Sequence, residues 1–405
     1  MIPFSPPKIY QEIIDEVVDT LKSGWLTTGP KTKQFERNLA EYCNASRVLC
    51  LNSSTIGMEL TLRWFGIGPG DEVLLPAYTY CSTANVVVHC GGIPVMVDIN
   101  DDFSINIDYL KSKITEKTKA IIPVDIAGLP CDYEALNKLI NSPEIKSKFS
   151  PKTEEQQTLG RLLLMDDAAH SLGAIYKGKR IGTNADVSVF SFHAVKNLTT
   201  GEGGAIVLNL PVPFDNDEIY AKLNTKSLHG QNKDALAKTQ KGNWRYDVVE
   251  AGFKANMTDL AASLGLVELK YYDSETISRR KEIFRQYSEA FSRESWAKVP
   301  LYKDENRESS YHLYLLRIKD ITEDQRDAII AEIFEQEVSV NVHYQPLPML
   351  TQYKNMGYKM SDFPVSFKNY SCEISLPVYY DLTNDQVLEV IQAVKKAYQK
   401  VIGDA

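Results

Sequence analysis

Lys196 lies in the segment Val189-Phe-Ser-Phe-His-Ala-Val-Lys-Asn-Leu-Thr-Thr-Gly-Glu-Gly-Gly-Ala205, after one apolar run and before a glycine-rich turn into another. An amine held between two buried strands is drawn toward its neutral form, the form that adds to a carbonyl as a Schiff base. Gly201, Gly203 and Gly204 allow tight turns and close backbone approach. A second stretch, Leu163-Leu-Met-Asp-Asp-Ala-Ala-His170, runs an apolar strand into two acids and a histidine. Ligands of open α/β sheets bind at the carboxyl ends of strands. An acid at that position can face a bound heterocycle and keep its ring nitrogen protonated; it reads equally as an acidic turn that caps the next segment. A third stretch, Leu51-Asn-Ser-Ser-Thr-Ile-Gly57, sets short hydroxyl residues at a strand-to-helix junction. Unpaired N–H groups there make an anion site, or an ordinary N-cap.

Two nucleotide motifs are excluded. No G-x-x-x-x-G-K-[ST] is present, and Gly66-Ile-Gly-Pro-Gly70 precedes a strand, whereas a dinucleotide fingerprint follows one.

These stretches need a scaffold of alternating elements, and the first half of the chain has one. Gln11–Lys22 carries apolar residues at helical spacing, and helices are also read at Thr32–Tyr42, Thr55–Phe65, Thr83–Cys90 and Tyr133–Ile140. Strands are read at Arg47–Leu51, Glu72–Leu75, Ile93–Val97, Thr118–Val124, Leu162–Met165, Val187–Phe192 and Ala205–Leu208. The alternation predicts an α/β fold with a mostly parallel sheet flanked by helices. Ser142–Leu159 is polar and reads as a solvated surface excursion, and Gln231–Tyr246 as a long loop. A helix at Asp259–Tyr271 follows. Helices at Ser278–Ser292, Asp324–Gln336 and Asn384–Tyr398, with strands at Tyr311–Ile318 and Val338–Val342, predict a smaller α+β unit. The expected division is a large domain over residues 1–250 and a small one over 251–405.

At 405 residues the chain suits two unequal domains. Its formal net charge of −8, with no dense basic run, argues against nucleic-acid binding. No apolar run approaches the roughly 20 residues of a membrane span, and the Met1-Ile-Pro-Phe-Ser start lacks the form of a signal peptide. Six scattered cysteines with no C-x-x-C pair fit a reducing cytoplasm and predict no metal site.

In this order and spacing the stretches resemble the DegT/DnrJ/EryC1/StrS family of aminotransferases, which depend on pyridoxal 5′-phosphate (PLP) and have the aspartate-aminotransferase-like fold type I. The resemblance runs from Ser23-Gly-Trp-Leu-Thr-Thr-Gly-Pro30 through Gly68-Pro-Gly-Asp-Glu-Val73, Asp166-Asp-Ala-Ala-His170 and Ser191-Phe-His-Ala-Val-Lys196. It ends at Val342-His-Tyr-Gln-Pro346 and Ile374-Ser-Leu-Pro377. It implies that Lys196 carries the cofactor and shuttles the reaction's proton, and that Asp167 pairs with the pyridine nitrogen. It further implies that His170 looks toward the phenolic oxygen, that Ser54, Thr55 and Ser191 hold the phosphate, and that Tyr80 stacks on the ring. Asn256, in Gly252-Phe-Lys-Ala-Asn-Met-Thr-Asp259, would reach the phosphate of a partner subunit, which implies a homodimer with shared sites. Many relatives read Asn-x-Arg-Met where this chain has Lys254-Ala-Asn-Met. Thr27, Thr28, His193 and His343 fall in matched segments and are candidate substrate contacts; His89, His229 and His312 read equally as structural.

Relatives that remove a sugar hydroxyl carry histidine at the lysine position, so Lys196 favours transamination. The implied reaction takes an amino group from L-glutamate and delivers it to a nucleotide-linked keto-sugar. The matched segments look most like the branch acting on C4 of UDP-linked sugars, such as a UDP-2-acetamido-2,6-dideoxy-4-ketohexose. The alternatives are a 3-aminotransferase acting on a dTDP-keto-sugar and a catalytically idle PLP-fold sensor or scaffold.

Overall fold

The computed structural model describes residues 1–233 and 245–403. Most of the reading of Gln231–Tyr246 as a loop therefore lies outside the described residues. Helices α1 (Gln11–Ser23) and α2 (Pro30–Cys43) precede strand β1 (Arg47–Leu51). There follow α3 (Ser54–Trp64), β2 (Glu72–Pro76), α4 (Ser82–His89), β3 (Ile93–Val97), β4 (Thr118–Ile121), β5 (Leu163–Asp167), β6 (Val187–Ser191) and β7 (Gly204–Leu208). The seven strands form one sheet in the order β1-β7-β6-β5-β4-β2-β3. Only β7 runs against the other six. Apolar side chains cover both faces, with Leu74, Ile121, Leu164 and Phe190 in one core and Leu75, Ile122, Met165 and Val189 in the other. Alternate residues of each strand thus enter opposite cores, as strands buried on both sides require.

This topology brings distant residues to one edge. Ser191, at the end of β6, and Leu51, at the end of β1, both pair with Gly204 at the start of β7. Asp167 ends β5 beside Val189. The three chemically suggestive stretches therefore leave the sheet side by side.

A second sheet holds Ala297–Lys298, β8 (Tyr314–Ile318) and β9 (Glu373–Leu376), all antiparallel. Helices α6 (Ser278–Phe291), α7 (Glu323–Glu335) and α8 (Asn384–Ile402) share its core, with Phe284, Ile329 and Val390 fully buried. Before them, α5 (Asp259–Tyr271) packs on α1 and α2. The segment just after residue 250 thus lies on the side of the large sheet.

Two local expectations are corrected, and a third, the surface excursion, gains detail. Ser142–Leu159 lies at the surface as read, and forms there two short helices, Pro143–Lys148 and Glu154–Leu159, that bury only Ile145 and Gln156. It is anchored because the Gln156 amide donates to the Phe65 carbonyl at 3.0 Å. The strand expected at Val338–Val342 is reduced to single bridges, Ile2 with Val338 and Asn341 with Ser375. Beyond Asn341 the chain leaves the sheet and carries His343 to the cavity described below. The strand expected from Tyr311 starts at Tyr314, because residues before it bond elsewhere: Ser310 N to Gly128 O at 3.1 Å and His312 N to Ala127 O at 3.3 Å.

Candidate active site

The strand ends and the small unit enclose a cavity of about 460 Å³. Lys196, Asp167 and His170 line it, together with Ser54, Thr55, Tyr80, Ser191, His193 and His343. Lys196 sits in a turn closed by its own N–H on the His193 carbonyl at 2.8 Å. Its side chain keeps some access to solvent through the cavity mouth, yet the surrounding protein desolvates the amine and draws its pKa down to about 8, against the pull of Asp167. The result is an amine with a substantial neutral fraction near pH 8.

Asp167 is buried, and burial raises its pKa. Three groups oppose that rise: Thr83 Oγ1, which donates to Oδ2 at 2.7 Å, the Ala169 N–H, which donates to Oδ1 at 3.3 Å, and the charge of Lys196. A carboxylate so placed can share a proton with a basic ring nitrogen. Asp166, one residue earlier, is fully buried on the other side of the strand and does not line the cavity.

His170 is held as a neutral ring, because burial pulls its pKa well below the ordinary value. Its Nδ1 accepts from the Ala127 N–H at 3.2 Å, so the proton sits on Nε2, 3.0 Å from the Tyr344 hydroxyl. His312 packs against it at 4.5 Å between ring centroids and bonds through Nδ1 to Asn197 Oδ1 at 2.8 Å. His312 thus has a supporting place, whereas His89 lies far off on α4, paired with Glu59.

One end of the cavity is made for an anion. Ser53 caps α3 by accepting from Ile56 N–H at 3.2 Å, and the amides of Ser54 and Thr55, ahead of it in the first turn, have no intrahelical acceptor. Ser54 Oγ is buried and has no hydrogen-bond partner among the described residues. An unmet buried hydroxyl costs about 1–3 kcal/mol unless a ligand satisfies it. Gly204 closes this corner: a Cβ there would fall 2.3 Å from Ser54 N, so the sheet register of Leu51 and Ser191 requires glycine. These donors fit the phosphate of PLP, and Lys196 and Asp167 fit its carbonyl and ring ends.

Thr27, Thr28 and Asn256 are not brought to this cavity. Asn256 Nδ2 donates to Thr28 Oγ1 at 2.7 Å, and Thr28 Oγ1 donates to Met257 O at 2.6 Å. Asn256 faces a neighbouring cleft that shares Glu202 with the Lys196 cavity. Tyr80 is 57% exposed, with its ring 5.6 Å from that of Tyr344, so one of its faces remains open.

Sequence reasoning passed over Thr83, Tyr344 and the pair Glu373–Ser375. The last three fall inside or beside the quoted His-Tyr-Gln-Pro and Ile-Ser-Leu-Pro segments, so motif membership was the available signal. Thr83 falls in the segment that holds Tyr80.

A family comparison decides the class. Residues 7–147 and 154–395 match the DegT/DnrJ/EryC1/StrS aminotransferase family. The chain belongs to that family. It is accordingly a PLP-dependent sugar aminotransferase of fold type I. The break in the match, at 148–153, falls between the two short helices that the Ser142–Leu159 segment forms. The chain is 38% identical over 400 residues to the spore coat polysaccharide biosynthesis protein SpsC of Bacillus subtilis, covering 97% of this chain and 96% of SpsC. Spr1654 of Streptococcus pneumoniae, assigned as a sugar aminotransferase and solved in its PMP form, superposes with a TM-score of 0.95 at 45% identity, covering 99% of this chain and 100% of that one. PseC of Helicobacter pylori, an aminotransferase involved in the biosynthesis of pseudoaminic acid, superposes with a TM-score of 0.85 at 27% identity, covering 98% and 99%.

Proposed function

We propose that the enzyme takes its amino group from L-glutamate and delivers it to the C4 keto carbon of a UDP-linked deoxy-keto-sugar, of the 2-acetamido-2,6-dideoxy-4-ketohexose type, in the synthesis of a polysaccharide or glycan. The observation that carries the transaminase part is a neutral-leaning Lys196 and a buried Asp167 lining one cavity with an unsatisfied Ser54 hydroxyl. The similarity to SpsC supports the polysaccharide setting, and that to PseC an amino-sugar product.

When bound, PLP supplies a carbonyl for amine exchange and a ring that accepts electron density. Lys196 holds the cofactor and then moves a proton through its Nζ. Asp167 keeps a proton at the ring nitrogen. Ser54, Thr55 and Ser191 hold the phosphate, Tyr80 covers the ring, and His170 orients its phenolic oxygen. Thr27, Thr28, His193 and His343 contact the sugar nucleotide. Since Thr27, Thr28 and Asn256 lie outside the Lys196 cavity of their own chain, we assign them to a partner's site in a homodimer. The exposed Ile14, Val18 and Leu21 on one face of α1 support an apolar interface. The six cysteines are all free, which suits the cytoplasm, and no helix among the described residues is long and apolar enough to cross a membrane. The domain boundary belongs near Tyr272–Ile277, after α5.

The test is the absorbance of the purified enzyme before and after L-glutamate, followed by product analysis with UDP- and dTDP-linked 4-keto and 3-keto sugars. A glutamate-driven change from the PLP to the PMP spectrum, absent in Lys196→Ala, is expected. A new C4 amine on the UDP sugar is expected as product. A C3 amine on a dTDP sugar would overturn the substrate assignment, and no spectral response would overturn the donor assignment.

A further inference from the structure

His343 enters the cavity from the segment that leaves the small sheet, and it arrives with a hydrogen-bonded chain behind it. Its Nδ1 lies 2.9 Å from Ser375 Oγ, and Ser375 Oγ lies 2.6 Å from Glu373 Oε1. Glu373 Oε2 accepts from the His343 backbone N–H at 3.1 Å. Ser375 is fully buried, as is Glu373, in the middle of a protein core. The other ring nitrogen, Nε2, has no partner among the described residues, and the residue lines the cavity that holds Lys196. Phe4 stacks on the imidazole at 5.4 Å and fixes its plane.

We propose that Glu373 and Ser375 are positioning residues that form a proton relay with His343 and set which of its ring nitrogens carries the proton. This rests on the sugar aminotransferase reading for its purpose. A serine hydroxyl has one proton, so the chain has two consistent states. With Glu373 ionised, Ser375 donates to Oε1, His343 Nδ1–H donates to Ser375, and Nε2 offers a lone pair to the cavity. When Nε2 takes a proton from a bound group, Nδ1 passes its proton to Ser375 Oγ, and Ser375 passes its own to Glu373 Oε1. One proton has then moved from the cavity to the buried carboxylate, and Nε2–H has become a donor.

The surroundings permit both states. Burial pushes the Glu373 carboxyl up to about 8, opposed by Ser375, by the His343 N–H, and by the guanidinium groups of Arg326 on α7 and Arg317 on β8. The phenols of Tyr78 and Tyr344, and the neighbouring Cys372 thiol, also face it. Burial and the charge of Lys196 draw His343 down to about 3, so the ring is neutral and its tautomer is the variable.

The test is the side-chain ¹⁵N spectrum of histidine-labelled PLP enzyme, followed from pH 6 to about 10 to span the Glu373 carboxyl. In the wild type, His343 Nε2 is expected to change from donor-type to acceptor-type as the pH rises through about 8. In Glu373→Gln the amide donates to Ser375 at every pH, so the acceptor-type signal is lost. In Ser375→Ala the tautomer no longer responds to pH. For each variant, kcat/KM for the keto-sugar is expected to lose the part of the pH dependence that follows the His343 tautomer and to keep the part that Lys196 contributes near pH 8. The same His343 tautomer and pH response in all three proteins would overturn the relay. A missing spectral response to glutamate in the wild type would instead count against the aminotransferase reading and leave the tautomer result readable. Circular dichroism separates both outcomes from misfolding, and Ser375→Ala, the smaller change, stands if Glu373→Gln does not fold.

Discussion

Two buried polar corners of the molecule, at Asp259 and at Ser54, are built differently. At Asp259 every buried polar demand is met within the chain. Oδ1 accepts from Gly29 N–H at 2.8 Å, Thr32 N–H at 2.9 Å and Thr32 Oγ1 at 2.7 Å, while Oδ2 accepts from Lys31 N–H at 3.1 Å. The carboxylate thereby caps α2, whose N-cap is a glycine with no side chain to do so. At Ser54 the opposite holds: the hydroxyl is buried and unpaired, the amine of Lys196 is desolvated, and a carboxylate is held across the cavity. The first corner spends its polar groups on the fold. The second keeps them for a ligand, at a cost in stability that ligand binding recovers. The difference teaches that an acid or hydroxyl of the same type and burial is structural or functional according to whether its partners are already in the chain.

Substitutions should separate the two corners. Lys196→Ala should abolish transamination while leaving thermal unfolding of the cofactor-free protein close to wild type; turnover and a melting curve check both. Asp167→Asn should lower kcat by about 10²-fold or more, because a neutral amide cannot hold the ring-nitrogen proton, and single-turnover reduction by glutamate measures it. Asp259→Ala should cost about 3 kcal/mol in urea unfolding, since four donors lose one buried acceptor, with kcat for the surviving folded enzyme little changed. Ser54→Ala should show the reverse pattern. PLP affinity should fall about tenfold, or about 1.4 kcal/mol, while the cofactor-free protein keeps or gains stability; a PLP titration beside the same urea curve decides. If Ser54→Ala destabilised the empty protein as Asp259→Ala does, the contrast would fail. The smallest effect is on rate. PLP uptake by the cofactor-free enzyme should quicken as the pH rises through about 8, where Lys196 passes from ammonium to amine, as a stopped-flow series would show.

Much of this was legible beforehand because it rests on local pattern. The strand that ends at Asp167 and the one that leads to the Lys196 turn are apolar runs, and their ends fall where they were read, within a residue or two. What failed had longer-range causes. Val338–Val342 has strand composition, but the pull toward the cavity at His343 limits its pairing to single bridges. Ser142–Leu159 is the solvated excursion its polarity implied, but its anchor went unread, because Gln156 reaches a carbonyl on Phe65, 91 residues away. Thr83 falls in the segment that holds Tyr80, yet its role went unread, because its partner Asp167 is 84 residues distant.

By itself, the sequence determined the class of chemistry and the scaffold: the lysine, the acid and the hydroxyl loop, each at or after the end of an apolar strand, and the alternation that sets those strands in one mostly parallel sheet. Periodicity and residue type are local properties, so they survive without coordinates. The tertiary structure alone decided which groups are satisfied and which are left open. It paired Asp259 with four donors, left Ser54 with none, and joined Glu373 through Ser375 to His343. Desolvation and hydrogen-bond satisfaction depend on what the rest of the chain brings within about 3 Å, and no linear pattern encodes that.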